Sequence, residues 1–229
     1  MSPEWLKLLN GYRNDELHRN VEFVYSNSGK NGSPRVFPSR ENLFRAFSFV
    51  NPHDVRVVIL GQDPYPQPGN ACGLCFAVPE TQPVPGSLQH IFLEINQEFG
   101  TPNARHSTSL EQWARQGVLL LNTILSVEEG RPMSHSALGW QSFTDHVIRR
   151  LSETNDGMVF LLWGNPSQAK ASLIDERKHL VIRTTHPSGL SWGRLADGSR
   201  QRPSSFWGSG QFVRCNEWLV SKGKQPVIW

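Results

Sequence analysis

The chain has no apolar run near the roughly 18 residues that a membrane-spanning helix needs, and no charged-then-apolar leader at its N-terminus. A soluble, non-secreted, cytoplasmic protein with no membrane partner is therefore expected. Cysteine is scarce: Cys72, Cys75 and Cys215 make an odd, small number, which suits a reducing compartment better than a disulfide framework. Cys72 and Cys75 form a C-x-x-C with no second pair, and Cys215 has no ligand spacing to any histidine, which argues against zinc or redox use. Also missing are a phosphate-binding G-x-x-x-x-G-K-[ST], a G-x-G-x-x-G after a strand, a G-x-S-x-G and an H-x-E with P-C-x-x-C. Phosphate-cleft nucleotide enzymes, serine hydrolases and zinc deaminases thus lose their signatures. No cofactor and no metal are expected.

What is present is an α/β pattern. With 229 residues the chain suits one domain, and residues 1–229 are read as such, with residues 1–50 as a mostly helical N-terminal part. Hydrophobic residues are only 38%, so eight Trp and twelve Phe must carry much of the core. Four short apolar runs read as buried strands: Val55–Leu60, Val118–Leu121, Met158–Leu162 and Leu180–Ile182. Helical spacing appears in "EWLKLLNGY" and "RENLFRAFSFV". It recurs in "SLQHIFLEINQEF" with Ser87 as N-cap, in "GWQSFTDHVIRRLSE", in "PSQAKASLI" and in "QFVRCNEWLVSKG". Strands alternating with helices predict a four-stranded parallel twisted sheet covered on both faces. Net charge is only +3, yet residues 177–224 hold nine Lys/Arg against Asp197 and Glu217. Such a basic quarter suits a polyanion partner, or ordinary solvated surface.

The segments after the four strands are "GQDPYP", "LNTIL", "WGNPS" and "TTHPSGLS". In a parallel sheet these ends share one edge, where open α/β sheets bind ligands. Asp63, Asn122, Asn165 and His186 are therefore expected to converge. Each alone has an ordinary reading: Asp63 or Asn122 satisfying a turn, His186 packed at a surface. Together they suggest a preorganised pocket. Prolines on both sides of Tyr65 stiffen its loop, and an Asn amide pairs a donor with an acceptor for a flat imide edge. Phe76 is core filler or a stacking platform for a planar heterocycle. Leu190 is an ordinary loop leucine or a wedge between bases.

"VVILGQDPYP", "GLCF", "LLLNTILSV", "LLWG" and "HPSGLS" stand in the order and spacing of family 1 uracil-DNA glycosylases, and the chain resembles that family collinearly from about Phe37 to its C-terminus. The resemblance implies an enzyme that flips uracil out of DNA and hydrolyses its N-glycosidic bond, leaving an abasic site. It implies that Asp63 orients water and stabilises an oxocarbenium-like sugar, and that His186 stabilises the uracil anion at O2. Gln62 would help hold that edge, Asn122 would read N3–H and O4, Phe76 would stack, and Tyr65 would exclude thymine's methyl. Leu190 would push into the duplex. Pro83, Pro85, Ser87, Gly164, Asn165, Ser188 and Ser191 would contact DNA phosphates. Implied partners are single- and double-stranded DNA containing uracil and a DNA-mimicking protein inhibitor, with the protein acting as a monomer.

The chain departs from the family pattern in several places. Pro66 and Cys72 stand where His is frequent, Gly189 replaces a usual proline, and Asn165 replaces a usual serine. Between Ser191 and Phe206 lies an insertion, "WGRLADGSRQRPSS", bearing Arg194, Arg200 and Arg202. It is either an added DNA contact or an inert surface loop. A catalytically lapsed DNA-binding accessory subunit of a replication complex is the alternative reading. The joint presence of Asp63, Asn122 and His186 argues against it, and Tyr65 argues against a glycosylase for thymine.

Overall fold

The computed structural model describes residues 1–12, 14–30 and 32–229, with the side chains of Asn14 and Leu190 outside that description. In chain order the elements begin with α1 (Pro3–Leu8), α2 (Asn14–Ser26), β1 (Val36–Phe37), β2 (Val57–Gly61), α3 (Gly86–Glu98) and α4 (Glu111–Arg115). They continue with β3 (Val118–Asn122), β4 (Val127–Glu128), α5 (Trp140–Thr154), β5 (Val159–Trp163), α6 (Asn165–Gln168), β6 (Leu180–Thr184) and α7 (Gln211–Ser221).

The main sheet has the order β3-β2-β5-β6, all parallel. Its two central strands, "VVILG" and "VFLLW", are buried along their whole length. A sheet covered on both faces needs continuous apolar strands, and that is why these runs lack alternation. β6, at one edge, alternates more, with Ile182 buried and Arg183 exposed. α5 presents Trp140, Phe143, Val147, Ile148 and Leu151 to the core at helical spacing. One hydrophobic cluster extends from Trp5 to Val227.

All four predicted strands form, each ending one or two residues later than its apolar run because the last ladder residues are Gly61, Asn122, Trp163 and Thr184. Three local expectations are corrected. "RENLFRAFSFV" contains only two 3-10 turns, Arg40–Asn42 and Arg45–Ser48, so residues 27–50 are less helical than predicted. Residues Val36 and Phe37 instead pair antiparallel with Val127 and Glu128 in a small second sheet. "PSQAKASLI" divides into the short α6 and a 3-10 turn, Ala169–Leu173. Finally, α3 begins at Gly86 with Pro85 at its N-cap, so Ser87 lies inside the first turn and is not the cap.

Candidate active site

The carboxyl ends of the strands form one edge, and the site is assembled there. β2 and β3 run in register so that Gly61 stands opposite Asn122. A Cβ on Gly61 would collide with Asn122 Oδ1 and stand 2.7 Å from Cys75 Cβ. Glycine is required here by close approach, since the backbone itself is not left-handed. Past Gly61 the chain is pinned by its carbonyls: Thr123 N–H donates to Gly61 O (3.0 Å) and Ile124 N–H to Gln62 O (2.9 Å).

Asp63 is half-buried, and its Oδ2 accepts from Met133 N–H at 2.8 Å. Burial raises its pKa from the ordinary carboxylate value, while the backbone N–H groups of Met133 and Asp63 partly oppose that rise. Met133 donates from a left-handed backbone, φ 63°, a conformation that costs a non-glycine residue about 1–3 kcal/mol. The Tyr65 hydroxyl donates to Phe76 O at 3.1 Å, and burial raises that phenol so that it stays a donor. Phe76 is also left-handed, φ 63°. Its ring lies 5.1 Å from Trp163 and 5.8 Å from His186, centroid to centroid. Asn122 ends β3, and among the described residues its side-chain amide has no hydrogen-bond partner.

His186 follows β6. Its Nδ1 accepts from Ser188 N–H (3.2 Å) and lies 2.8 Å from Ser188 Oγ. An N–H donating to Nδ1 requires that nitrogen to be unprotonated, so the ring proton belongs on Nε2. Burial lowers the pKa of the ring, which favours the same neutral tautomer.

A cavity of about 180 Å³ is lined by Gln62, Asp63, Tyr65, Phe76, Asn122 and His186, with Ser87 at its wall. A second cavity, about 380 Å³, shares Gln62 and His186 and is lined by Gly164, Asn165, Ser188 and Ser191. Pro83 and Pro85 line neither cavity and sit on the approach to α3. Leu190 belongs to the 3-10 turn Gly189–Trp192, and its side chain falls outside the described residues.

The three arginines of the insertion separate. Arg194 lies 4.5 Å from the Trp207 ring centroid, and Arg200 donates to Ser205 O and Pro203 O, so both are engaged within the loop. Arg202 alone of the three lines the second cavity, beside His186, Ser188 and Ser191. Cys72 and Cys75 are buried with raised thiols, Cys75 Sγ donating to Ile59 O at 3.4 Å, which is a packing role. Sequence reading missed Met133, whose contribution is a backbone N–H and has no side-chain signal. It also missed His90, whose Nδ1 lies 2.5 Å from Pro187 O.

Residues 47–207 match the family model described as the uracil DNA glycosylase superfamily. The chain is 41% identical to a uracil-DNA glycosylase of Agrobacterium fabrum, covering 100% of this chain and 90% of the relative. It is 43% identical to one from Escherichia coli over 85% of this chain and 80% of the relative. Among solved structures, a mimivirus uracil-DNA glycosylase superposes with a TM-score of 0.86 at 27% identity, covering 100% of this chain and 87% of that one. A mimivirus UNG variant in complex with UGI gives 0.87 at 28% identity, covering 100% and 88%.

Proposed function

The chain belongs to the uracil DNA glycosylase superfamily, and on that premise we propose how its own residues carry out the reaction. Its activity is that of a uracil-DNA glycosylase, a base-excision-repair hydrolase acting on uracil in DNA. The observation that carries the residue assignment is the single cavity into which Asp63, Tyr65, Phe76, Asn122 and His186 all open.

The uridine is flipped into this cavity, where unstacking costs a few kcal/mol per base. Phe76 stacks on the uracil ring. Asn122 Nδ2 donates to O4 and its Oδ1 accepts from N3–H, a pattern that cytosine reverses at both atoms. Tyr65, held by its bond to Phe76 O, occupies the C5 side and excludes a methyl. An apolar pocket discriminates one methyl by only about 1–3 kcal/mol, so a fixed ring has to act by clash. The N1–C1′ bond breaks with its electron pair leaving on uracil, and water supplies the oxygen that bonds to C1′ while giving one proton to Asp63, so that the products are the C1′ hydroxyl sugar and the uracil anion. Charge of opposite sign develops at the two ends of the breaking bond. Ionised Asp63 faces the cationic sugar and orients the water, and His186 Nε2–H donates to O2 of the departing anion, with Gln62 at the same edge.

Gly164, Asn165, Ser188 and Ser191 border the second cavity and receive the flanking phosphates. Ser87, at the wall of the first, and Pro83 and Pro85 before it complete the phosphate contacts, with Leu190 as the wedge. Arg202 adds a cation there, whereas Arg194 and Arg200 brace the insertion that carries it. The whole chain works as one catalytic domain, a monomer on uracil-containing single- or double-stranded DNA. A DNA-mimicking inhibitor of the kind bound to the mimivirus variant would compete for this face.

The test is release of free uracil from a single-uracil oligonucleotide, single- and double-stranded, in EDTA, with Asp63→Asn and a thymine-containing control alongside. Uracil release from both substrates, no thymine release and a crippled variant are expected. No release with retained, salt-sensitive DNA binding would overturn the reading in favour of a binding subunit.

A further inference from the structure

The loop that presents His186 has an unusual local support. Gly189 has φ 46°, and a Cβ added there would meet nothing within 4 Å. Proline fixes φ near −65°, so the observed backbone is not one that a proline at 189 would impose. Inside the loop, Ser191 Oγ donates to His186 O (3.1 Å) and Ser191 N–H to Ser188 O (3.0 Å). These bonds tie the turn to itself but not to the body of the protein.

One tie to the body comes from α3. His90, three residues beyond Ser87 at the cavity wall, has Nδ1 at 2.5 Å from Pro187 O. A carbonyl only accepts, so this nitrogen carries a proton. The same ring stacks on Trp192 with centroids 3.9 Å apart and planes 9° from parallel. Trp192 in turn packs against Trp207 (5.2 Å), and Trp207 N–H donates to Trp192 O at 2.8 Å. The His90 ring therefore touches the loop at Pro187, directly after His186, and at Trp192, directly after Ser191.

We propose that His90 is a positioning residue for the glycosylase reaction. Its N–H to Pro187 O and its stacking on Trp192 clamp residues 186–192 so that His186 Nε2–H is aimed at the departing uracil. The clamp supplies from outside the loop the stiffness that Gly189 does not supply from within. This inference rests on the role assigned to His186 above.

The test compares His90→Phe, His90→Ala and His186→Ala, singly and with each His90 variant combined with His186→Ala, by steady-state uracil release from duplex DNA. His90→Phe keeps a ring against Trp192 and removes the donor, so it guards against loss of folding in the alanine variant. Loss of one aimed hydrogen bond should lower kcat about tenfold with KM nearly unchanged. In the His186→Ala background the same change should lower kcat by less than about twofold, because residues acting as a unit are non-additive. Equal losses in both backgrounds would show a general structural role and overturn the inference, as would a His90→Phe variant that turns over like wild type. If His186→Ala itself were as active as wild type, the role assigned to His186 would fail instead. Wild-type protein that released no uracil would fail the functional reading.

Discussion

Replacing Gly61 with alanine would place a methyl group between β2 and β3 at the point where the site begins. Its Cβ would overlap Asn122 Oδ1 and stand 2.7 Å from Cys75 Cβ. Cys75 is fully buried and cannot withdraw, so Asn122 has to move. Overpacking of this kind costs about 1–3 kcal/mol, which for a chain of this size lowers the melting temperature by roughly 2–12 °C. The functional loss is separate. An amide turned away from the ring forfeits its paired contact to the base edge, worth about 1–3 kcal/mol, or roughly 5- to 150-fold in kcat/KM. Thermal melting and uracil-release kinetics on one oligonucleotide measure both. Asn122→Ala is the control: in that background Gly61→Ala should remove little further activity, because the amide is already absent. A Gly61→Ala protein that melts and turns over like wild type would refute the close approach on which this reasoning depends.

Asp63→Asn should abolish most activity and yet raise the melting temperature at neutral pH. Burial raises the folded-state pKa of Asp63, so its stabilising contribution is present at low pH and lost as pH rises through that pKa; melting curves of both proteins should converge on acidification. The half-buried Glu98 is likewise raised, by burial and by neighbouring Glu94, while it accepts from Phe212 and Val213 N–H at 2.8 Å each. Wild-type stability should therefore fall as pH rises above the usual carboxylate range, and Glu98→Gln should flatten that fall in a melting series. Tyr65→Ala should release thymine from a thymine-containing oligonucleotide, and an absence of thymine release would relocate the methyl exclusion. Arg202→Glu should weaken DNA binding and lower the log–log salt slope by about one, whereas Arg194→Glu should lower the melting temperature through its contact with Trp207. Equal salt slopes for Arg202→Glu and wild type would leave the insertion without a role in DNA binding.

The strands of the main sheet were legible because burial on both faces demands uninterrupted apolar runs, and "VVIL" and "MVFLL" are such runs. "RENLFRAFSFV" misled because its apolar spacing satisfies 3-10 turns against the core as well as an α-helix, and spacing does not register hydrogen-bond length. The pair Val36–Phe37 and Val127–Glu128 was invisible because two-residue strands have no periodicity to read. Ser87 looked like a cap by residue type, but the cap is Pro85, two residues earlier, and the helix starts at Gly86.

By itself the sequence determined the chemistry available at the strand ends: a carboxylate, a phenol and an aromatic ring after the first apolar run, an amide after the second and an imidazole after the last. Which of them share one cavity was also within its reach, because parallel strands put all their carboxyl ends at one edge. Only the tertiary structure decided how those groups are held. The proton on His186 Nε2 follows from a backbone N–H at Ser188, the orientation of Asp63 from a backbone N–H at Met133, and the support of the His186 loop from a ring on α3. Arg202 is separated from Arg194 and Arg200 by where the chain turns. Backbone donors are present in every residue, and contacts between distant segments leave no pattern along the chain, so folding is what selects among them.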